Sequence, residues 1–177
     1  MSRPGMPIAA SGRPYIPTAV MAPRADPVGA ALLLLAGFAG ILQLVAPWRT
    51  ATWPQVGTGL GTGTGYELFQ SLRNLPDPGL TQTAASYAVL AVGVGGGALV
   101  LLGLLLLTPM DHRPMGTGAL LVAVVGLIAG CLLVLRSTTL FGISAAGMFT
   151  GAQAGWYLFL ACGVLGLFGS VKALATG

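Results

Sequence analysis

With 177 residues, 55% of them hydrophobic, only 7% charged and a net charge of +4, the chain lacks the roughly 25% of charged residues with which a soluble domain covers itself. Its mean hydropathy of +0.86 points to a membrane protein with room for one domain. The basic residues Arg3, Arg13, Arg24, Arg49, Arg73, Arg113, Arg136 and Lys172 stand singly, which argues against nucleic acid as a partner.

In chain order, residues 1–25 come first and hold proline mixed with Gly, Ser, Ala and arginine. This composition predicts a disordered tail. Its "PGMP" and "PYIP" fit PxxP and offer polyproline II for docking, or serve as a solvated arm. The first apolar run, residues 28–46, opens on Asp26 and Pro27, closes on Pro47 and Trp48, and is an uncleaved anchor rather than a signal peptide. The second run covers 84–107, the third 117–135 and the fourth 155–171, with Lys172 placed to snorkel. Each suits a bilayer core of about 30 Å. None alternates polar with apolar residues as a barrel strand does. The expected fold is therefore an all-α membrane domain, residues 26–177, of four transmembrane helices.

Between the first two runs lies a long first loop. It begins with Trp53 and a glycine at every second position from Gly57 to Gly65. No Gly-Lys-Ser/Thr follows to form a Walker loop, and the third glycine of a dinucleotide fingerprint is replaced by threonine. No nucleotide is implied. Thr64 and Glu67 in "TGYE" make a capping box. Leu68, Phe69, Leu72 and Leu75 then recur at helical spacing before "PDPG". A short amphipathic helix over 65–75 is predicted, lying on the membrane surface or on the ends of the spans.

With a cytoplasmic tail, the inner side carries Arg3, Arg13, Arg24, Arg113 and Lys172, and the outer side Arg49, Arg73 and Arg136. The positive-inside rule then puts both termini in the cytoplasm and the first loop outside, in the cytoplasmic (inner) membrane. Trp48, Trp53, Trp156 and Tyr157 fall near the outer span ends, as an aromatic belt does.

Sites for chemistry are sparse. Asp111 and His112 are adjacent in a turn with no third ligand nearby in sequence, so His112 reads as a solvated loop residue and no metal or cofactor is implied. Cys131 and Cys162 fall at similar depth but lack a CxxC. They read as small packing residues, with a structural disulfide as the alternative. The span interiors hold no ionisable residue, and Gln43 and Ser170 are their notable polar groups, which argues against proton-coupled transport.

Small residues do recur in register. Gly93, Gly96 and Gly97 lie in the second span, Gly126 and Gly130 form a G-x-x-x-G in the third, Ala36 and Gly40 lie in the first, and Gly163 and Gly166 in the fourth. Such faces let helices approach closely, within this chain or with another. The candidate partner-binding residues are Trp53, Tyr66, Phe69 and Leu72 on the loop, with Gly93, Gly97, Gly126 and Gly130 on the spans.

The Ala/Gly/Val/Leu-rich composition, the proline-rich tail, the "DP" before the first span and the "PW" after it resemble small uncharacterised four-span membrane proteins of high-GC actinobacteria. The resemblance implies a cytoplasmic-membrane location and an accessory role. The expected function is a non-catalytic accessory or scaffolding subunit of a larger envelope or respiratory complex. It would be partnered by membrane lipids and by other integral membrane proteins or further copies of itself. The alternative is a homo-oligomeric channel or a lipid-handling protein.

Overall fold

The computed structural model describes residues 25–49 and 63–176. The proline-rich tail to residue 24, Trp53 and the glycine repeat as far as Thr62 lie outside them. The described residues form helices α1 (Pro27–Leu42), α2 (Gly65–Arg73), α3 (Leu80–Leu105), α4 (Arg113–Leu135), α5 (Ser137–Phe141) and α6 (Ala154–Thr176), with a 3-10 turn at Ala146–Met148. Among them the extended pairing is limited to two isolated antiparallel bridges, Pro47 with Thr64 and Arg49 with Ala152.

Three helices are long and apolar enough to cross a membrane: α3, α4 and α6, of 26, 23 and 23 residues. At 1.5 Å per residue these extend about 35–39 Å. Helix α1 is shorter, at 16 residues, or about 24 Å. It stops before the predicted residue 46. Pro47 has no N–H and disfavours helical backbone at the residue before it. The last turn tightens accordingly, with Leu44 N donating to Ile41 O and Val45 N to Leu42 O. At the other end Asp26 caps α1 by accepting from Gly29 N at 3.0 Å, with Pro27 in the first turn, as the sequence predicts.

Each long helix runs antiparallel to its two neighbours in a ring ordered α1, α3, α4, α6, and the α3–α6 diagonal meets only slightly. Helix α1 packs between α3 and α6 with Ala30, Leu33, Ala36, Gly37 and Gly40 buried. Its Val28, Leu35, Phe38 and Leu42 are exposed on the opposite face. Exposed apolar side chains also stud α3 (Val94, Leu101), α4 (Leu121, Ile128) and α6 (Val164, Phe168). The apolar surface thus runs around the whole ring, as in a bundle solvated by lipid.

Glycine sets the closest contacts. A Cβ on Gly37 would stand 2.6 Å from Gly96 O, and one on Gly96 would stand 2.6 Å from Gly37 O. The backbones of α1 and α3 therefore touch through this reciprocal pair. A Cβ on Gly93 would stand 2.6 Å from Leu44 Cδ1, one on Gly126 3.5 Å from Gly163 Cα, and one on Gly130 3.3 Å from Leu160 Cδ2. Gly97 differs from its neighbours, because nothing stands within 4 Å of a Cβ built on it.

The first and last helices meet where α1 starts and α6 ends. Asp26 is 5% exposed. It accepts from Thr176 Oγ1 at 3.1 Å and lies 3.9 Å from Lys172 Nζ. Asp26 N also donates to Leu106 O at the end of α3.

Gly96→Ala is expected to cost about 1–3 kcal/mol through overpacking at the α1–α3 contact. Gly97→Ala is expected to be neutral or to stabilise by up to about 1 kcal/mol through helix propensity. Thermal loss of helical circular dichroism in one detergent checks both.

Candidate interaction site

The chain between α1 and α2 is the organising segment of the Trp48 end. Gln43, fully buried, donates from Nε2 to Val89 O of α3 at 3.2 Å. Trp48 Nε1 reaches back to Gln43 O at 2.8 Å. Trp48 N donates to Gly63 O at 3.0 Å, Tyr66 N to Leu44 O at 2.9 Å, Gln153 N to Trp48 O at 2.8 Å and Gly155 N to Pro47 O at 2.8 Å. Arg49 Nη1 donates to Gly147 O at 2.8 Å. One short irregular segment thereby binds the start of α2, the approach to α6 and the loop around the 3-10 turn.

Aromatic rings seal it. Trp48 is fully buried, and Trp156 and Phe159 are each 1% exposed. The Trp48 ring lies 5.5 Å from Trp156 and 5.0 Å from Phe159. Trp156 and Phe159 stack at 5.8 Å, and Phe149 meets Trp156 edge-on at 5.8 Å. Trp48 and Trp156 do sit at helix ends, but they are interior residues and do not form a lipid-facing belt. The irregular backbone beside them needs an apolar cover, and the Trp48 N–H is used inside. Among the described residues the exposed aromatics at this end are Tyr66, Tyr87, Phe149 and Tyr157.

The capping box forms as the sequence predicts, with Glu67 N donating to Thr64 Oγ1 at 3.2 Å and Thr64 N to Glu67 Oε2 at 3.0 Å. Gly65 abuts Gln43 and Trp48 Nε1, a contact that leaves no room for a side chain. The apolar face of α2 rests on α3, with Leu68 and Leu72 fully buried and Phe69 8% exposed. Arg73 covers Phe69 at 5.9 Å from the ring centre, and Tyr66 stands beside it at 6.2 Å.

Of the residues singled out in the sequence, Phe69 and Leu72 are therefore occupied within the chain, while Tyr66 is 49% exposed. Gly93, Gly126 and Gly130 are buried between helices, and Gly97 is half-buried with open space beside it. Trp53 lies outside the described residues. These residues do not converge on one pocket.

One expectation changes. His112 is 1% exposed and is not a solvated loop residue. It starts α4, and its Nε2 lies 3.2 Å from Thr108 O, so the ring folds under the end of α3 and meets a carbonyl there. The disulfide alternative falls away, since Cys131 is exposed, Cys162 is buried, and both are free thiols. Among the described residues no three His, Cys, Asp or Glu side chains gather as a metal site does. The contact of Asp26 with Lys172 and Thr176 joins residues far apart in sequence and left no local signal. Gln43 was visible as a polar residue in an apolar run.

Compared with protein-family models, with curated proteins and with solved structures, the chain matches none.

Trp48→Ala is expected to cost about 3–5 kcal/mol and to open the segment between α5 and α6 to protease. Gln43→Leu removes one interhelical hydrogen bond, worth about 0.6–1.7 kcal/mol in a membrane, and is expected to leave that segment protected. Limited proteolysis with thermal melting separates the two.

Proposed function

We propose that the protein is a non-catalytic integral protein of the cytoplasmic membrane, serving as an accessory or scaffolding subunit of a larger envelope or respiratory assembly. In this reading α1, α3, α4 and α6 are four spans. The Asp26 end faces the cytoplasm on the arginine and lysine distribution, and α2 with the Trp48 segment caps the outer face.

The observation that carries the reading is how the polar groups are used. Between the two ends of the bundle, Gln43, Ser86 and Ser170 are the buried polar side chains. Each donates to a backbone carbonyl of the chain itself, Val89 O, Thr83 O and Leu167 O respectively. The charged groups Asp26 and Lys172 meet at one end, and Arg49 and Arg73 lie at the other. Catalysis and ion passage both call for polar groups turned toward a ligand. Among the described residues the interior polar groups are turned toward backbone, apart from Gln43 Oε1 and Trp156 Nε1, which are buried without a hydrogen-bond partner beside the Trp48 segment, and the surface between the ends is apolar. Such a molecule works through what packs against it. Among the proposed contact residues, Tyr66 and Gly97 have open surface, and Trp53 belongs to the same first loop.

Extraction at native expression in a mild detergent is expected to bring down other integral membrane proteins in fixed ratio. Tyr66→Ala and Gly97→Leu are expected to lower that ratio by about tenfold, the scale of a contact residue worth more than 1 kcal/mol, without shifting the melting temperature. A lone monomer refutes the subunit reading. Defined multimers of this chain alone, with conductance or lipid movement in vesicles, support the homo-oligomeric alternative instead.

A further inference from the structure

The bonds around the Trp48 segment fix how the helices line up along the bundle. Gln43 Nε2 donates to Val89 O of α3, Tyr66 N donates to Leu44 O, and Gly155 N of α6 donates to Pro47 O. Tyr87 stands two residues from Val89 and Tyr157 two residues from Gly155, about 3 Å along each helix. Tyr66, Tyr87 and Tyr157 therefore share one level, to within about one helical turn. All three face outward, at 49%, 56% and 52% exposed. At the other end Asp26 N donates to Leu106 O and Asp26 Oδ2 accepts from Thr176 Oγ1. Those bonds bring the ends of α3 and α6 level with the start of α1.

The two levels are equally far apart on both helices. Nineteen residues carry α3 from Tyr87 to Leu106, and nineteen carry α6 from Tyr157 to Thr176. Each step is about 28 Å at 1.5 Å per residue, and the hydrocarbon core of a bilayer is about 30 Å thick. The side chains sort to match. Val94 and Leu101 of α3 and Val164 and Phe168 of α6 are exposed between the levels, whereas Asp111, Arg113 and Lys172 gather near Asp26. Beyond the tyrosine level α3 runs seven residues further, to Leu80, through the polar stretch Thr81, Gln82 and Thr83. That projection is about 10 Å long. Helix α1 covers the same thickness because the tightened turns after Leu42 carry the chain on to Ala46.

A tyrosine has an apolar ring and a wet tip, which suits the zone where acyl chains give way to esters and headgroups. Trp48 and Trp156 are turned inward and leave that zone to the tyrosines. We propose that Tyr66, Tyr87 and Tyr157 bind the ester and headgroup zone of the leaflet on the Trp48 side. The bilayer boundary then lies at the Trp48 segment, and the first two turns of α3 stand outside the hydrocarbon. This inference rests on the four-span reading above and is independent of the accessory role.

The unaltered full chain, in phosphatidylethanolamine–phosphatidylglycerol vesicles, is irradiated with either of two phospholipid probes. One carries a diazirine in the headgroup, the other midway along an acyl chain, and adducts are mapped by mass spectrometry. The ratio of headgroup to acyl adducts at each residue removes differences in reactivity. It is expected to be several-fold higher at Tyr87 and Tyr157 than at Phe168, and similar at the two tyrosines. In a second arm a charged maleimide, present on both sides of the vesicles, is expected to modify Leu80→Cys and to spare Val94→Cys, each read on its own peptide. A ratio at the tyrosines equal to that at Phe168 overturns the proposal, as does a several-fold difference between Tyr87 and Tyr157. An unreactive Leu80→Cys also overturns it, because α3 then begins within the hydrocarbon. In each of these cases acyl adducts at Val94 and Phe168 leave the four-span reading standing. Their absence refutes that reading and this inference together.

Discussion

The backbone between Gln43 and Trp48 leaves helical geometry at the end of an apolar helix, and every carbonyl released there needs a donor supplied by protein. Gln43 O receives the Trp48 indole, Leu44 O receives Tyr66 N, Pro47 O receives Gly155 N and Trp48 O receives Gln153 N. Unsatisfied backbone groups at membrane depth cost several kcal/mol each. For these four carbonyls the donors are the segment's own Trp48 and two distant stretches of chain, the start of α2 and the approach to α6. The start of α2, the loop before α6 and the ring cluster around Trp48 all take their positions from this segment.

Beneath that cap, packing is governed by how closely backbones approach. Water supplies no drive for two helices to associate in hydrocarbon, so contact area and close approach have to do it. Gly37 with Gly96 brings α1 and α3 near enough for backbone contact, and Gly163 brings α6 close to the backbone of α4 at Leu127, where an added Cβ would stand 3.1 Å from Leu127 N. The α3–α4 side lacks such a pair, and its small residues border a groove instead. The same residue type thus acts in two ways, as a close contact at Gly37, Gly96 and Gly93 and as open space at Gly97.

Local features were legible in the sequence. Asp26 with Pro27, and Thr64 with Glu67, mark helix starts because the hydrogen bonds they predict span only three residues. The long apolar runs announced α3, α4 and α6 through composition alone. What each element touches was less legible. Periodicity showed that Leu68, Phe69 and Leu72 share a face, but that the face is spent on α3 is a tertiary fact. Helix α1 ends early because Pro47 and a set of long-range hydrogen bonds outweigh hydropathy. His112 was misplaced because its burial depends on the fold of the preceding turn. A similar depth for Cys131 and Cys162 invited pairing, yet depth carries no information about which side of a helix faces in, and Cys131 is exposed while Cys162 is buried.

The contact of Asp26 with Lys172 and Thr176 has a consequence for biogenesis. Helix α1 leaves the ribosome before α3 and α6, and it packs on both. During synthesis α1 can acquire α3 early, but one flank of it, and two partners of a nearly buried carboxylate, wait until α6 has been made. The ring is therefore closed by its final helix. A nascent chain halted before Lys172 would hold an open bundle with an incompletely paired Asp26, a state that a membrane quality-control system can tell from the finished one.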